Sequence, residues 1–304
     1  MNIAVDAVDA VDAVDIKVEP SLNEKSNLAF SFRTGLWLSM TVGGFILSFN
    51  DGSMQSIFGI ILCGLGIAHG VELSHQALHN TGFSSKRLNE FFGILMGLPL
   101  LVSFYEYRIS HFAHHSSIGT DKDTEYFDYG EGKFSLFSIL SMLSMWKHYL
   151  KYLITLSTVL VGGKVNGFHD RHQTKIKLFY IYSLVMIAAL VGLGYMLDDP
   201  SGPLISWLSA MLFVATPVHA LIEFPEHVKC DRDSQNILRN TRSISSNSIL
   251  VWFTNYNNYH VEHHMFPRVP MQNLSHVYTI LEPNHKHHSN GYFDFYFALM
   301  RGKL

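Results

Sequence analysis

The chain has 304 residues, of which 48% are hydrophobic and only 15% charged, with a net charge of −3. A soluble domain carries about 25% charged residues, and here the apolar residues collect into long runs, so the composition favours a membrane protein. The balance of charge gives no indication of a nucleic-acid partner, and two cysteines do not provide a disulfide framework.

The first 30 residues differ from the rest of the chain. They hold six acidic residues against Lys17 and Lys25, and Ala-Val-Asp is repeated four times over residues 4–15. A period of three matches neither a helix face nor a strand face, and a signal peptide would begin with basic residues. The predicted division is a disordered tail (1–30), a membrane domain (31–283) and a C-terminal tail (284–304).

Four apolar segments are candidates to cross a bilayer, which takes roughly 20 residues with a range of about 17–25. The first is short and would depend on tilt or interfacial flanks. Asn50-Asp51-Gly52 joins the first two and residues 198–202 join the last two, so the tight turns predict two helical hairpins. The predicted spans are residues 33–49, 54–73, 175–196 and 203–223.

The distribution of basic residues predicts the orientation of these spans. All 22 Lys and Arg lie outside the two hairpin turns. By the positive-inside rule, both termini and the long middle region are cytoplasmic. The two acidic turns then face the opposite side of the membrane.

Two further apolar stretches are not predicted to cross. Residues 91–104 number only 14 and include Gly97 and Pro99, so we expect a re-entrant or surface-lying segment. Residues 134–161 carry Lys147 and Lys151 near their middle, where burial in lipid is costly, so interfacial helices are expected there.

Nine histidines lie in four clusters, each at the cytoplasmic edge of an apolar segment. Neutral imidazole is the commonest protein ligand for first-row transition metals. Because a tetrahedral site takes about four ligands, nine histidines indicate two metals. Helical positions i, i+3 and i+4 share one face, so one helical turn can supply both metals. The clusters are HQALH (His75, His79), HFAHH (His111, His114, His115), EH (Glu226, His227) and HVEHH (His260, His263, His264).

Other histidines receive a different interpretation. His69 and His219 lie within spans and are expected to pack between helices or to support metal ligands. His285, His287 and His288 belong to a polar stretch with Pro, Asn and Gly, for which we expect a solvated loop.

Charged residues beside the clusters have two interpretations each. Four acids follow the second cluster: Asp121, Asp123, Glu125 and Asp128. They either accept the second N–H of ligating imidazoles or form a solvated acidic loop. Arg239 and Arg242 either pair with these acids or a substrate headgroup, or form a structural ion pair.

HQALH, HFAHH and HVEHH, in this order, resemble the three histidine boxes of the integral-membrane fatty-acid desaturases and their hydroxylase and ketolase relatives. The resemblance covers about residues 33–283. It is most specific over residues 226–270, where Glu-His precedes Asn-Thr-Arg and the last box, as in the bacterial type. It implies an all-α integral membrane protein of two transmembrane hairpins. It also implies a cytoplasmic helical cap in which the nine clustered histidines ligate two irons, with molecular oxygen as co-substrate.

One position departs from the family pattern. In the animal acyl-CoA branch, an Asn four residues before the equivalent of His227 holds a metal-bound water, and Glu223 stands in that place here. Glu223 is therefore either an additional iron ligand or a residue that orients His227.

Three functions are compatible with the histidine clusters. The leading hypothesis is an oxygen-dependent desaturase of a fatty acyl chain, because an unactivated methylene offers no polarised bond to an acid, base or nucleophile. A hydroxylase or ketolase acting on a carotenoid or other lipid shares the same boxes. A metal transporter would place its ligands near the bilayer midplane rather than at the ends of spans, so it is disfavoured.

We expect the electrons to come from a separate protein. The sequence has no glycine-rich dinucleotide fingerprint, no CxxCH haem motif and no His-Pro-Gly-Gly element of a fused cytochrome b5. The expected donor is ferredoxin or cytochrome b5. Basic residues of the cytoplasmic face, such as Lys229, Arg268 and Lys286, are candidates to dock an acidic donor.

Overall fold

The computed structural model describes residues 19–49, 54–123 and 136–304. These residues form helices and one two-stranded parallel sheet. The helices are α1 (Asn27–Leu47), α2 (Met54–Leu78), α3 (Lys86–Gly97), α4 (Phe104–Ser117), α5 (Leu136–Ser144), α6 (Trp146–Leu160), α7 (Asp170–Met196), α8 (Gly202–Ala210), α9 (Thr216–Glu223), α10 (Ile237–Asn240), α11 (Ser248–Phe253), α12 (His260–Met265), α13 (Leu274–Leu281) and α14 (Tyr292–Met300). The strands are β1 (Arg242–Ile244) and β2 (His287–Ser289).

Within the part of the chain that the structure describes, three helices are long and apolar enough to cross a membrane: Met54–Leu78, Asp170–Met196 and Gly202–Glu226. The count rises to four if α3 and α4, which are bent by 100° at their junction, form one broken span. The architecture is thus mostly helical with three or four candidate spans. The predicted arrangement of four spans in two hairpins remains a prediction.

Helix α1 begins earlier than the predicted first span. The side chain of Ser26 accepts a hydrogen bond from the Ala29 N–H, which caps the helix at Asn27. Phe30 is buried against Phe83. Residues 19–30 therefore differ from the disordered tail expected there, while the Ala-Val-Asp repeat lies outside the described residues.

Helices α1 and α2 pack antiparallel and close together. Gly44 lies against the backbone of Gly59 and Cys63, and Gly66 lies against Thr41. Small residues at such positions allow two helices to approach backbone to backbone. This packing fixes the position of the C-terminal end of α2, which carries the first histidine box.

The apolar stretch 91–104 is interrupted, as its composition predicts. Helix α3 tightens into a 3-10 turn at Leu98–Leu100, and Leu101 adopts a left-handed conformation with φ of 61°. Ser103 then caps α4 through the N–H of Glu106. The resulting bend of 100° turns α4, with the second histidine box, toward the end of α2.

The third candidate span contains a π-helical turn at Met211–Ala215 between α8 and α9. Pro217 has no N–H to continue the helix, and the Thr216 hydroxyl donates to the Met211 carbonyl at 2.7 Å. Such turns shift the helical register and are frequent at functional sites. Here the turn precedes His219 and Glu223, which face the centre described below.

The last part of the chain packs onto the rest. Strand β2 pairs with β1, and Phe295 of α14 is fully buried against Phe224.

The prediction of a solvated loop at His285, His287 and His288 is wrong. The His285 side chain is fully buried with Nε2 2.9 Å from a Glu262 carboxylate oxygen, and the other two lie in β2. A buried acid that pairs with His285 cannot be recognised from local polarity. The domain boundaries at residues 31 and 284 remain predictions.

Candidate metal centre

Eight of the nine clustered histidines converge in two groups of four. In each group the candidate ligand atoms all lie within 4.8 Å of one another. We call His75, His79, His111 and His263 the first histidine set. We call His114, His227, His260 and His264 the second histidine set.

The spacing within each set fits a bound metal. In the first set, the Nε2 atoms of His75 and His111 are 2.8 Å apart. In the second, Nε2 of His264 lies 3.1 Å from that of His260 and 3.3 Å from that of His114. Two imidazole nitrogens bound to one ion at about 2.1 Å are separated by about 3 Å. The donor atoms therefore have the separation that a shared ion requires.

The ninth histidine adjoins the first set. Nε2 of His115 lies 2.9 Å from that of His111 and 3.1 Å from that of His263. Its ring also stacks on that of His264, with centroids 4.2 Å apart. His115 thus lies between the two sets and points its nitrogen toward the first.

In the second histidine set, hydrogen bonds to Nδ1 of two rings leave Nε2 available to bind a metal. Nδ1 of His114 lies 2.6 Å from an Asp123 carboxylate oxygen, and Nδ1 of His227 lies 3.1 Å from the Asn240 carbonyl. Because these oxygens only accept, each Nδ1 carries the proton and Nε2 keeps its lone pair. Asp123 thus acts as the acceptor expected among the acids after the second box, whereas Glu125 and Asp128 lie outside the described residues.

Burial keeps the imidazoles neutral. Removal from water lowers the pKa of His227 to about 3, and the neighbouring His114 adds to the effect. It also lowers the pKa of His260, His263 and His264 well below the ordinary value. The neutral form predominates at physiological pH and is the form that binds metal.

Glu223 lies beside the sets but contacts another residue. Its carboxylate oxygen is 3.3 Å from Nε2 of His219, whose Nδ1 is 3.1 Å from Glu72. His219 therefore links two acids, neither of which belongs to the histidine sets. His69, the other histidine within a span, contacts the Phe253 carbonyl at 2.6 Å and stacks on Trp252.

The two arginines of the RNTRS motif have structural partners. Arg242 is buried and donates to the carbonyls of Pro225 and Val228, at 2.7 and 2.6 Å. It therefore holds the loop that carries His227. Arg239 pairs with Asp231 at 2.9 Å. Asp231 also contacts Lys286 at 2.5 Å. Lys286, one of the basic residues expected to dock an electron donor, therefore already has an acidic partner within the chain.

A cavity of about 250 Å³ adjoins both histidine sets, and its lining includes His75, His111 and His260. Apolar side chains such as Val71 and Leu101 form part of its wall. Tyr107 contributes an aromatic side chain to the lining. The cavity is therefore a space in which an apolar chain can approach the histidines.

Sequence reasoning missed a polar part of this cavity. Glu106 is only 6% exposed and accepts a hydrogen bond from the Tyr180 hydroxyl at 2.6 Å. Ser103, Glu106, Tyr107 and Ser110 are spaced along one face of α4 that ends at His111, and all line the cavity. Their spacing of three and four residues is the helical pattern in the sequence that identifies these polar residues as one face.

A second cavity, of about 310 Å³, adjoins the first histidine set at His79. Its lining includes His79, His115, Arg108 and the exposed Arg268. A basic rim beside metal-ligating imidazoles favours the approach of an acidic protein or an anionic group.

Comparison with known proteins identifies the family. The family model described as fatty acid desaturase matches residues 53–296, which include all nine clustered histidines. The chain belongs to the fatty acid desaturase family. Membership places this desaturase-family protein among the oxidoreductase enzymes and agrees with its apolar helices and histidine sets.

A curated relative supports the same assignment over a short stretch. The sn-1 acyl-lipid omega-3 desaturase (ferredoxin) of Synechocystis sp. is 34% identical over 64 residues. The matched stretch covers 21% of this chain and 18% of the relative.

Removing the Asp123 carboxylate is expected to weaken metal binding at the second histidine set. Asp123→Ala deprives His114 of its Nδ1 acceptor, and the loss of such partners typically lowers metal affinity by about 10–100-fold. Metal retained by this desaturase-family protein at increasing chelator concentration measures the effect. Asp121→Ala, at an exposed position two residues away, is the matched control. A wild-type chelation curve for Asp123→Ala would contradict this role.

Proposed function

We propose that the protein is an oxygen-dependent membrane desaturase that introduces a double bond into a fatty acyl chain by means of two irons. The observation that carries the proposal is the convergence of nine histidines into two adjacent sets beside a cavity, in a chain of the desaturase family. Oxygen-activating irons would supply the oxidising power that removal of hydrogen from an unactivated methylene requires.

The residues of the chain provide the setting for that chemistry. The histidine sets hold the irons through neutral nitrogens, and Asp123 and the Asn240 carbonyl orient two of the rings. The cavity aims the acyl chain at His75, His111 and His260. The burial of both sets keeps bulk water away from the reacting carbon.

The proposed ligands are the nine clustered histidines. The sequence leaves Glu223 as either a ligand or an orienting residue. The contact of Glu223 is with His219, at 3.3 Å, and not with His227, whose Nδ1 lies against the Asn240 carbonyl. We therefore propose a third role for Glu223, in which the Glu72–His219–Glu223 chain stabilises the wall of the site.

Expression in a bacterial host tests the reaction. Total membrane lipids should gain a fatty acid with one additional double bond relative to cells that carry an empty vector. Gas chromatography with mass spectrometry of the fatty acid methyl esters detects and locates the new bond. Unchanged acyl chains, with a carotenoid consumed instead, would favour the ketolase.

The proposed electron donor is a separate protein, ferredoxin or cytochrome b5. Ferredoxin is favoured because the name of the Synechocystis relative includes it, and the same name supports an acyl lipid as substrate. The basic rim formed by Arg108 and Arg268 lies at the cavity that reaches His79 and His115. We propose this rim as the docking position, since the electrons then enter beside the ligands.

Charge reversal at Arg268 tests the docking position. Arg268→Glu is expected to reduce turnover with reduced ferredoxin by about tenfold at low ionic strength, because complementary charge mainly accelerates association. The difference should shrink at high salt, where exposed charges are screened. Arg301→Glu, another exposed arginine, is the control. An equal loss in both variants would exclude a specific role for Arg268.

We also propose that both termini and the histidine sets are cytoplasmic. The bend of 100° between α3 and α4 is compatible with a re-entrant path, and the 2.8 Å between Nε2 of His75 and Nε2 of His111 supports a second box on the same side as the first. Single cysteines in a cysteine-free background test it with a membrane-impermeant thiol reagent. Positions 51 and 199 should react from the periplasmic or outer side, and position 120 only after permeabilisation. Reaction of position 120 together with position 51 would mean that the segment 91–104 crosses.

A further inference from the structure

Glu226 is a buried carboxylate at the edge of the second histidine set. It ends the 3-10 turn Phe224–Glu226 directly before His227 and is 7% exposed. Its Oε2 lies 3.1 Å from Nε2 of His260. That nitrogen is itself 3.1 Å from Nε2 of His227 and of His264.

Asn257 determines which atoms face each other at this contact. Its side-chain N–H donates to Glu226 Oε1 at 2.7 Å, and its side-chain oxygen lies 3.3 Å from Nδ1 of His260. An amide oxygen only accepts, so Nδ1 of His260 carries the proton. Nε2 of His260 then presents a lone pair to Glu226 Oε2.

A lone pair and a carboxylate oxygen 3.1 Å apart repel each other unless a proton or a metal cation lies between them. The same geometry holds between the Nε2 atoms of the second set, which a metal would join. Donors to one ion at about 2.1 Å are separated by about 3 Å, and Glu226 Oε2 has this separation from His260. Asn257, which contacts both residues, keeps this oxygen turned toward the histidines.

The number of metal-ligand atoms at the two sites also supports a role for Glu226 as a ligand. With His115, five imidazoles surround the first site, whereas the second histidine set has four. A carboxylate from Glu226 would bring the second site to five. We propose that Glu226, rather than Glu223, is the carboxylate ligand of the metal held by the second histidine set. The proposal rests on the two-iron centre of the proposed function.

Metal loading of purified variants tests this role without reference to activity. The apoprotein is loaded with ferrous iron enriched in ⁵⁷Fe, and iron per chain, chelator resistance and the Mössbauer spectrum are recorded. Glu226→Gln keeps the size of the side chain and an oxygen for Asn257 but removes the charge. Glu226→Asp keeps the charge but withdraws the oxygen by one methylene. Glu223→Gln tests the competing carboxylate, and Glu282→Gln, at an exposed position, is the matched control.

Both Glu226 variants should lose iron from one site at chelator concentrations at least tenfold lower than wild type does, with one Mössbauer doublet altered. Glu282→Gln should retain the wild-type spectrum, and Glu223→Gln should lower chelator resistance less than either Glu226 variant does. Wild-type iron content and spectrum in either Glu226 variant would overturn the proposal and leave the two-iron centre standing. Wild-type protein that binds no iron would overturn both. Thermal unfolding of each apoprotein confirms that the variants compared are folded.

Discussion

Replacing His264 by alanine is expected to reduce iron from two to about one per chain and to abolish formation of the double bond. His264 contacts two other members of the second histidine set at 3.1 and 3.3 Å, so its removal leaves that site short of a donor. Loss of a ligand should exceed the roughly 10–100-fold loss of affinity caused by removing an outer partner. Metal analysis and turnover of acyl lipid measure the two effects.

Because the histidines form two separate sets, variants of the other set and of an exposed histidine serve as controls. His111→Ala should empty the first set in the same way, and the double variant should bind no iron. His276→Ala, at an exposed position, should keep both irons. If His264→Ala still bound two irons per chain in active protein, the assignment of the second set would be wrong.

Gly44→Ala is expected to be among the most damaging single-methyl additions outside the metal centre. An added Cβ at residue 44 would meet the Cys63 backbone nitrogen and lie 2.8 Å from the Gly59 carbonyl oxygen. Backbone atoms cannot move aside as side chains do, so α1 and α2 must separate. Overpacking usually costs about 1–3 kcal/mol, and we expect the upper part of that range. Thermal unfolding in detergent, with iron content recorded in parallel, measures the cost.

The adjacent glycine provides the matched control. A Cβ at Gly43 would meet nothing within 4 Å, so Gly43→Ala should be neutral or more stable by up to about 1 kcal/mol, because alanine favours the helix. Equal unfolding temperatures for Gly43→Ala and Gly44→Ala would contradict the close packing of the two helices.

The histidine clusters were accessible to sequence reasoning because their spacing is local. His75 and His79, four residues apart, point the same way on any helix, and both join the first set. The sequence did not show which histidine would join which of the two sets. His111 and His114 share one turn of α4 yet enter different sets, because the placement of α2 and α12 around that turn decides which nitrogens meet.

The polar residues around the histidine sets were missed because they also come together only in the folded chain. Glu262 and His285 are 23 positions apart and pair only because β2 lies beside β1. Glu226 and Asn257 also come together through the fold. The interrupted path after α3, in contrast, was indicated by Pro99 and by the shortness of the apolar stretch, although the left-handed Leu101 that completes the bend was not.

The most direct test of the central claim is the fate of oxygen during turnover. Membranes containing the protein are supplied with an acyl lipid, reduced ferredoxin and ¹⁸O₂, and the acyl products are analysed by mass spectrometry. We expect a product that has lost two hydrogens and contains no ¹⁸O, formed only when oxygen and the donor are both present. A main product that carries ¹⁸O would contradict desaturation and identify a hydroxylase built on the same metal centre.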